Sequence, residues 1–431
     1  MTFADTVRFL YALGPELKPA SNVIKWDLAR VARLLTEVGD PHVGLRYIHV
    51  AGTNGKGSTC AMLASALQVA GYRTGLYTSP HLLDVRERIR IDGHVLSESA
   101  WTAAFEAVHQ AVERLLARDL IDAHPSFFET VTVMAFLAFA RAGVGVVVLE
   151  VGLGGRLDAT NVIEPEVAVI TPVDFDHEAF LGSDIESIAG EKAGILKRGR
   201  PAVFAVQRPE ALRVLEQRAL VMGVPVMHTA AWRVEGLVLH PRGSRFTLVP
   251  VAGGPGVPVE CPLAGLHQVE NARSAVAALH LFGVPAEAIQ QGIATAVWPG
   301  RLEYVADNPT IILDGAHNPA GATALAAYIG EFFKGEPIRI IYGAMRDKAV
   351  EEVTNTLFAL AYEVILTAPD QPRALSPESL APMLEHPRLR VAANTAEALR
   401  MARDTPMTTF VTGSLFLVGE ARAMLVSAGV N

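Results

Sequence analysis

Two almost continuous apolar runs constrain the fold of this chain more than any other feature of its sequence. They read VGVVVLEV at residues 144–151 and EVAVITPV at residues 166–173. Strands that lack a polar residue at every second position are typically buried on both faces, as in parallel sheets. The two runs therefore predict central strands of a sheet that helices cover on both sides.

The rest of the first 298 residues agrees with such a sheet. Strand-like runs at 46–52 and 73–79 alternate with segments in which Ala and Leu recur at helical spacing. The predicted helices cover residues 57–70, 98–118, 127–142 and 267–282. From about residue 200 to 262 the pattern changes to alternating segments such as RVEGLVLH and RFTLVPV, which predict an antiparallel addition.

A second unit is expected after the turn VWPGR at 297–301, where strand-helix alternation restarts. Its strand-like runs are TIILDGA, IRIIYGA, EVILTAP and TFVTGS. A length of 431 residues suits two domains. We therefore predict an α/β protein with a P-loop-type, doubly wound, mainly parallel domain at 1–298 and a smaller Rossmann-like α/β domain at 299–431.

Charge and composition exclude several classes of partner. The net charge of −8 opposes binding to nucleic acid or to an anionic membrane. The two cysteines cannot form a disulfide framework, and the most apolar region, 131–151, is interrupted by Arg141 and ends near Glu150. The N-terminal residues lack the apolar run of a signal peptide. We expect a cytoplasmic, monomeric protein that binds small molecules, with no nucleic-acid or membrane partner.

A phosphate-binding loop is predicted where YIHVAGTNGKGSTCAMLASAL joins a strand to a helix. Glycines let backbone N–H groups close around phosphate oxygens, and the helix N-terminus and Lys56 add positive charge. The strict P-loop pattern has four residues between its glycines and a hydroxyl residue directly after lysine, and this shortened loop has neither. An ordinary glycine-rich turn is the alternative, but the order of these features favours nucleotide binding. The predicted contacts are Gly52, Thr53, Asn54, Gly55, Lys56, Gly57, Ser58 and Thr59.

Three further residues have two interpretations each. Glu150 ends a central strand beside the loop, where a carboxylate is well placed to hold Mg²⁺, although solvated carboxylates are common at strand ends. Lys192 lies in the helical pattern SIAGEKAGIL, where a surface lysine balanced by Glu191 is the ordinary interpretation. Asp314 ends the strand TIILD and suits a nucleotide contact or a helix cap equally well.

The motif GTNGKGST resembles the nucleotide loop of the Mur ligase superfamily, and within it most resembles folylpolyglutamate synthases and bifunctional dihydrofolate synthases. Six more stretches match in the same order: TSPHL at 78–82, EVGLGGRLDATN at 150–161, DHEAFLG at 176–182, EKAGI at 191–195, PGRLE at 299–303 and DGAHNP at 314–319. The resemblance implies that ATP activates a folate or dihydropteroate carboxylate as an acyl phosphate, which the amine of L-glutamate attacks, releasing ADP and phosphate.

The resemblance also implies roles for particular residues. Ser79, Glu150 and His177 would be Mg²⁺ ligands. Independently of the resemblance, Asp174 and Asp176 compete as ligands from the same loop as His177, either directly or through water. Asn271, Arg301 and Asp314 would contact ATP, and Lys192 would be carbamylated by CO₂ near the metal. Lys56, Lys192 and Arg301 are thus the expected catalytic residues, and a monovalent cation such as K⁺ is a further expected cofactor. His317 resembles a position near the reaction centre, without a specific role.

The acceptor site is also implied by the resemblance. Its expected residues are Lys25, Trp26, Ser126, Phe127, Phe128, Glu129, Leu157, Asp158 and Ala159. This chain has KWDLAR where the family often has an acidic, glycine-containing stretch, and a core position is the commoner role of a lone tryptophan. The sequence does not distinguish dihydrofolate synthase from folylpolyglutamate synthase activity.

Two rival functions are weaker. A Mur-type ligase that acts on a UDP-sugar substrate is expected to carry a separate N-terminal domain, and only about 45 residues precede the phosphate loop. A regulatory P-loop NTPase that reads guanine would show an Asn-Lys-x-Asp motif, which the sequence lacks.

Overall fold

The computed structural model describes residues 1–13, 28–346 and 348–427. The helices are α1 Phe3–Ala12, α2 Leu28–Glu37, α3 Lys56–Val69, α4 Glu98–Ala117, α5 Phe127–Arg141, α6 Glu178–Leu181, α7 Ile185–Lys192, α8 Pro209–Met222, α9 Leu266–Phe282, α10 Ala286–Ala294, α11 Pro319–Phe332, α12 Val350–Phe358, α13 Pro377–Leu380, α14 Thr395–Ala402 and α15 Leu415–Ser427. The strands are β1 Arg46–Ala51, β2 Thr74–Tyr77, β3 Ile89–Ile91, β4 His94–Val95, β5 Val146–Glu150, β6 Val167–Ile170, β7 Ala202–Phe204, β8 Val226–His228, β9 Trp232–His240, β10 Gly243–Pro250, β11 Val257–Cys261, β12 Glu303–Asp307, β13 Thr310–Leu313, β14 Ile338–Tyr342, β15 Glu363–Leu366, β16 Leu389–Val391 and β17 Thr408–Thr412. Short 3-10 turns lie at Val85–Arg88, Ala159–Val162, Ala193–Ile195, Thr229–Ala231 and Ala381–Met383.

The largest sheet has eight strands in the order β4-β3-β2-β5-β1-β6-β7-β8. The parallel strands are β2, β5, β1, β6, β7 and β8, and β3 and β4 add an antiparallel edge next to β2. Helices α3, α9 and α10 cover one face, and α4 and α5 cover the other. The apolar runs that predicted central strands become β5 and β6, which flank β1 on either side, so the predicted fold class is confirmed.

The register of the central strands decides which side chains meet at the edge of this sheet. Val50 of β1 pairs with Glu150 of β5, and Ala51 pairs with Ile170 of β6. Tyr77 of β2 pairs with Leu149. The phosphate loop, the end of β5 and the loops after β2 and β6 therefore leave the sheet side by side, as the carboxyl ends of parallel strands do.

The expectation of an antiparallel addition from about residue 200 is wrong for its first part. Strands β7 and β8 continue the parallel sheet, and only β9, β10 and β11 form a separate antiparallel sheet, in the order β11-β10-β9. Strands β7 and β8 have three residues each, which is too short for a residue pattern to distinguish a parallel strand from an antiparallel one.

A third sheet of six strands has the order β12-β13-β17-β14-β15-β16. All neighbours in it are parallel except β12 and β13. Helices α11 and α12 pack on one face and α14 and α15 on the other. The domain boundary proposed after residue 298 lies between α10 and β12 and stays a prediction. Within the described part of the chain, no helix has the length and apolar character needed to cross a membrane.

Candidate active site

A cavity of about 370 Å³ lies where the carboxyl ends of β1, β5 and β6 face the start of α11. The predicted site residues that line it are Gly52, Thr53, Asn54, Gly55, Lys56, Gly57, Ser58, Ser79, Glu150, His177, Lys192, Asn271, Arg301 and Asp314. The cavity thus brings the phosphate loop at the end of β1 together with Asp314 at the end of β13, although more than half of the chain separates them in sequence. Thr59 is buried just behind the loop.

The phosphate loop needs glycine where it turns into α3. Gly55 has a φ of 86°, and a Cβ atom there would lie 2.2 Å from Oδ1 of Asn271. Thr53 fixes the other side of the loop, because its backbone N donates to the Pro172 carbonyl at 2.9 Å. Its Oγ1 donates to the Asp174 carbonyl at 2.9 Å and accepts from the Asp174 backbone N at 3.0 Å. The backbone of the loop is therefore preformed in this structure.

Two lysines share one acceptor inside the loop. The Nζ atom of Lys56 donates to the carbonyls of Gly52 at 3.2 Å and of Thr53 at 3.1 Å. The Nζ atom of Lys192 donates to the same Gly52 carbonyl at 2.9 Å. Lys192 is only 4% exposed, and burial, assisted by the charge of Lys56, lowers its pKa to about 7. Lys192 is thus a buried amine beside the nucleotide loop and not a surface lysine.

The predicted cation ligands lie at the strand ends. The backbone N of Ser79 donates to Oε2 of Glu150 at 3.0 Å. Burial raises the pKa of Glu150, and the charge of Lys56 opposes that shift. Burial lowers the pKa of His177 to about 4, so its imidazole is neutral, and its Nδ1 is buried without a hydrogen-bond partner among the described residues.

These groups fit a divalent cation. A buried carboxylate gains from a nearby positive charge, and a neutral imidazole with an unpaired nitrogen can act as a ligand. In residues 1–13, 28–346 and 348–427, no three His, Cys, Asp or Glu side chains are placed to hold a metal by themselves. A cation here would therefore also need the Ser79 hydroxyl, water or nucleotide phosphates, which is the usual way in which Mg²⁺ is bound.

The substitution Glu150→Gln removes the negative charge of this side chain and keeps nearly the same shape. We expect kcat to fall about a hundredfold, because the substitution removes a charge that would hold the cation against the phosphates. The pKa of Glu150 is higher in the folded chain than in the unfolded chain. As the pH rises from the lower to the higher of these two pKa values, the contribution of Glu150 to the free energy of unfolding therefore falls. The variant should therefore melt at the same or a higher temperature than the parent at about pH 8.

Steady-state kinetics and thermal melts at about pH 5 and about pH 8 measure both effects. Glu336→Gln is the matched control, because it removes an equal charge from an exposed residue that is far from Glu150 in the sequence. Unchanged kcat in Glu150→Gln would contradict a role for this charge.

Arg301 and Asp314 approach the cavity from the start of the third sheet. Nη1 of Arg301 donates to the Gly300 carbonyl at 3.0 Å, and burial lowers the pKa of its guanidinium, with Asp314 opposing the shift. The Asp314 carboxylate accepts from the backbone N of Leu302 and of Ala316, both at 3.0 Å. Asp314 therefore holds together the two segments that carry Arg301 and the loop before α11.

Asn271 reaches the phosphate loop through a neighbour on the same helix. Its Nδ2 donates to Oε1 of Gln268 at 2.9 Å, and Nε2 of Gln268 donates to Oγ of Ser58 at 3.2 Å. Gln268 was not predicted as a site residue, because its polar side chain gives no signal inside an apolar helical pattern.

The seven expected acceptor residues that the structure describes all lie outside the lining of this cavity. Ser126 and Glu129 form a reciprocal cap of α5: the Ser126 backbone N donates to Glu129 at 2.7 Å, and the Glu129 backbone N donates to Ser126 at 3.2 Å. The Asp158 carboxylate accepts from the backbone N of Leu153 and of Thr160, both at 2.9 Å. Phe127 and Ala159 are buried, and Leu157 is half-buried.

The Phe128 ring lies next to a residue that lines the cavity. A Cβ atom on Gly152, which lines the cavity, would lie 2.4 Å from Cζ of the Phe128 ring. Lys25 and Trp26 lie outside the described residues. The acceptor role of all these residues stays a prediction.

Comparisons with known proteins were made for the sequence and for the fold. A family model described as the Mur ligase middle domain matches residues 50–279, and one described as the glutamate ligase domain of Mur ligases matches residues 300–414. The dihydrofolate synthase/folylpolyglutamate synthase of Bacillus subtilis is 35% identical over 416 residues, which are 93% of this chain and 95% of that protein.

Two solved structures have the same fold. The folylpolyglutamate synthase of Mycobacterium tuberculosis complexed with ADP matches with a TM-score of 0.90 and 34% identity, over 98% of each chain. An FPGS–AMPPCP–folate complex matches with a TM-score of 0.85 and 33% identity, over 99% of this chain and 100% of that chain.

Proposed function

The chain belongs to the Mur ligase family, and from that premise we propose that it is an ATP-dependent ligase that joins L-glutamate to the carboxylate of a folate or of dihydropteroate. The family membership confirms the resemblance carried by the sequence motifs. The observation that carries the proposal is the cavity in which Lys56, Lys192, Glu150 and Arg301 meet. Relatives that match along nearly the whole chain are folylpolyglutamate and dihydrofolate synthases.

The first chemical step transfers the γ-phosphoryl group of ATP to the acceptor carboxylate. An oxygen of the carboxylate forms a bond to phosphorus as the bond to ADP breaks. Since both reactants are anions, the site must first reduce their repulsion, and the ammonium of Lys56 and the guanidinium of Arg301 supply positive charge there. A bound Mg²⁺, held by Ser79, Glu150 and His177, would add to this neutralisation of the phosphates.

The second step forms the amide. The ammonium of glutamate first loses one proton to water, its neutral amine attacks the acyl carbon, the carbon–oxygen bond to phosphate breaks, and the second proton leaves to water or to the departing phosphate. Water competes with glutamate for the acyl phosphate, so the site has to exclude water during the reaction. Arg301 precedes β12 and Asp314 follows β13 of the six-stranded sheet. A nucleotide in this cavity would therefore lie between two halves of the molecule, the one with the eight-stranded sheet and the one with the six-stranded sheet, and be covered by both.

The finer assignments belong to the same proposal. Lys192 is carbamylated: its neutral amine forms a bond to the carbon of CO₂ and releases a proton, which places an anion beside the phosphate loop. The acceptor lies against the starts of α5 and of the turn Ala159–Val162, with Phe128 between it and the loop after β5. ATP and Mg²⁺ are the cofactors, with K⁺ as the monovalent cation, and the protein acts as a monomer.

Phosphate release tests this function directly. The protein is incubated with ATP, Mg²⁺ and L-glutamate, and with either 7,8-dihydropteroate or tetrahydrofolate as acceptor. Lys56→Ala serves as the inactive control. Release with both acceptors would establish the bifunctional enzyme, and release with one would restrict it to that activity. If neither acceptor supports glutamate-dependent release, the folate assignment is wrong and another carboxylate–amine ligase of the family must be considered.

A further inference from the structure

The turn that presents His177 has an unusual backbone. His177 precedes α6 with φ 54° and ψ 35°, in the left-handed region where a side chain is disfavoured. Residues in this region persist when their surroundings hold them, and they are concentrated at functional sites. The left-handed turn of His177 must therefore be held by contacts with the residues around it.

The carboxylate of Asp176 holds the turn from one side. Its Oδ1 accepts a hydrogen bond from the backbone N of His177 at 2.9 Å. The same oxygen accepts from Nζ of Lys348 at 2.6 Å, and Oδ2 accepts from Nδ2 of Asn318 at 3.1 Å. The side chains of Asp176 and Lys348 are each only 10% exposed, so their charges are shielded from water. The ring of His317 is also close, with Nε2 at 3.5 Å from Oδ2.

The donors to Asp176 come from the other half of the molecule. Asp176 follows β6 of the large sheet, whereas Lys348 follows β14 of the six-stranded sheet and Asn318 caps α11. They are 172 and 142 residues away from Asp176 in sequence. A side chain of the first half is thus oriented by groups of the second half.

Asn318 connects the same turn to the phosphate loop. Its Nδ2 also donates to Oδ1 of Asn54 at 3.0 Å, and its Oδ1 accepts from Nδ2 of Asn54 at 3.2 Å. The Oδ1 atom accepts in addition from the backbone N of Gly321 at 2.9 Å, which caps α11. One amide therefore bonds the nucleotide loop, the His177 turn and the helix that faces them.

We propose that Lys348 and Asn318 are positioning residues that hold Asp176, and through it the left-handed turn of His177, so that the cation-binding face of the site is complete only when the two halves are docked. The proposal depends on the proposed function in one respect, the assignment of His177 as a cation ligand. Lys348 itself is absent from the described lining of the cavity, so its effect passes through Asp176.

Manganese binding tests the proposal without catalysis. Mn²⁺, as a paramagnetic probe for the Mg²⁺ site, is titrated by electron paramagnetic resonance into the full chain saturated with a nonhydrolysable ATP analogue, with glutamate and folate absent. Lys348→Met should weaken Mn²⁺ binding about tenfold or more, because groups that orient metal ligands typically contribute this much. Lys348→Arg keeps the charge and should recover most of the affinity. Lys334→Met, on an exposed lysine of the same half, should bind as the parent does.

Asn318→Ser is the second variant, and it decides the question if Lys348→Met does not fold. A serine oxygen can still cap α11, whereas the donor to Asp176 is lost. It should weaken Mn²⁺ binding in the same direction. Parent-like Mn²⁺ affinity in a folded Lys348→Met or Asn318→Ser protein overturns the proposal. Because the titration needs no ligase activity, a parent chain that lacks glutamate-dependent phosphate release refutes the proposed function and leaves this test valid.

Discussion

Replacing Lys56 with alanine is expected to lower kcat for glutamate-dependent phosphate release about a thousandfold. In the structure its ammonium is held by two carbonyls of its own loop, those of Gly52 and Thr53. It is therefore already placed where the triphosphate would lie. Loss of a preorganised charge at the transferring phosphoryl group has a large effect, because no water can replace it there without reorganising.

The same substitution should change the free energy of unfolding by only about 1 kcal/mol. The two hydrogen bonds are lost, but so is the repulsion between Lys56 and the neighbouring Lys192. The measurement combines steady-state kinetics with a urea melt. Lys56→Arg keeps the charge and should retain more activity than alanine, while its planar guanidinium fits the loop less well. An alanine variant with more than about a tenth of the parent kcat would contradict the phosphate-loop role.

The parts of the fold that could be predicted are those in which the local sequence decides the structure. A strand buried on both faces must be almost wholly apolar, so residues 146–150 and 167–170 could be recognised as central. The loop GTNGKGST could be recognised because glycines, a lysine and a helix start occur in a fixed order. Strands β7 and β8 could not, because three residues carry too little pattern.

The site was predicted less completely, for two physical reasons. Carboxylates and hydroxyls that follow strands or precede helices also serve as caps, so Ser126 and Asp158 have local hydrogen bonds that a sequence motif does not distinguish from a ligand contact. Contacts across the molecule leave no local signal at all. Lys348 lies in an ordinary loop sequence, and only the folded chain shows that it meets Asp176, 172 residues earlier.

We expect the activity of the enzyme to depend on dissolved CO₂, and this is the second large effect. Removal of CO₂ from the buffer should inactivate the enzyme about a hundredfold through loss of the proposed carbamate on Lys192, and bicarbonate should restore activity. The carbamate is an anion that would offset the positive charge of Lys56 beside the phosphate loop. Mass spectrometry of the intact active protein should show the added mass of one CO₂, and Lys192→Met should lack that mass and be about a hundredfold less active than the parent.

The pH dependence of this recovery follows from the environment of Lys192. Only the neutral amine attacks CO₂, and burial lowers the pKa of this lysine from 10.5 to about 7. At a fixed concentration of dissolved CO₂, the rate of reactivation should rise with pH up to about 7 and become level above it. An exposed lysine would continue to gain reactivity up to its ordinary pKa.

The same shift predicts the effect on stability. Between about pH 7 and the ordinary value of 10.5, the unfolded chain binds a proton that the folded chain does not, so stability attributable to Lys192 rises with pH across this interval. Lys192→Met removes this dependence and should be more stable than the CO₂-depleted parent below about pH 7. Because Lys56 contributes to lowering the pKa of Lys192, carbamate formation in Lys56→Ala should shift to higher pH, and mass spectrometry follows it because this variant is inactive. If the rate of reactivation of the parent does not change with pH, and carbamate formation in Lys56→Ala has the same pH dependence as in the parent, the modified residue is not Lys192.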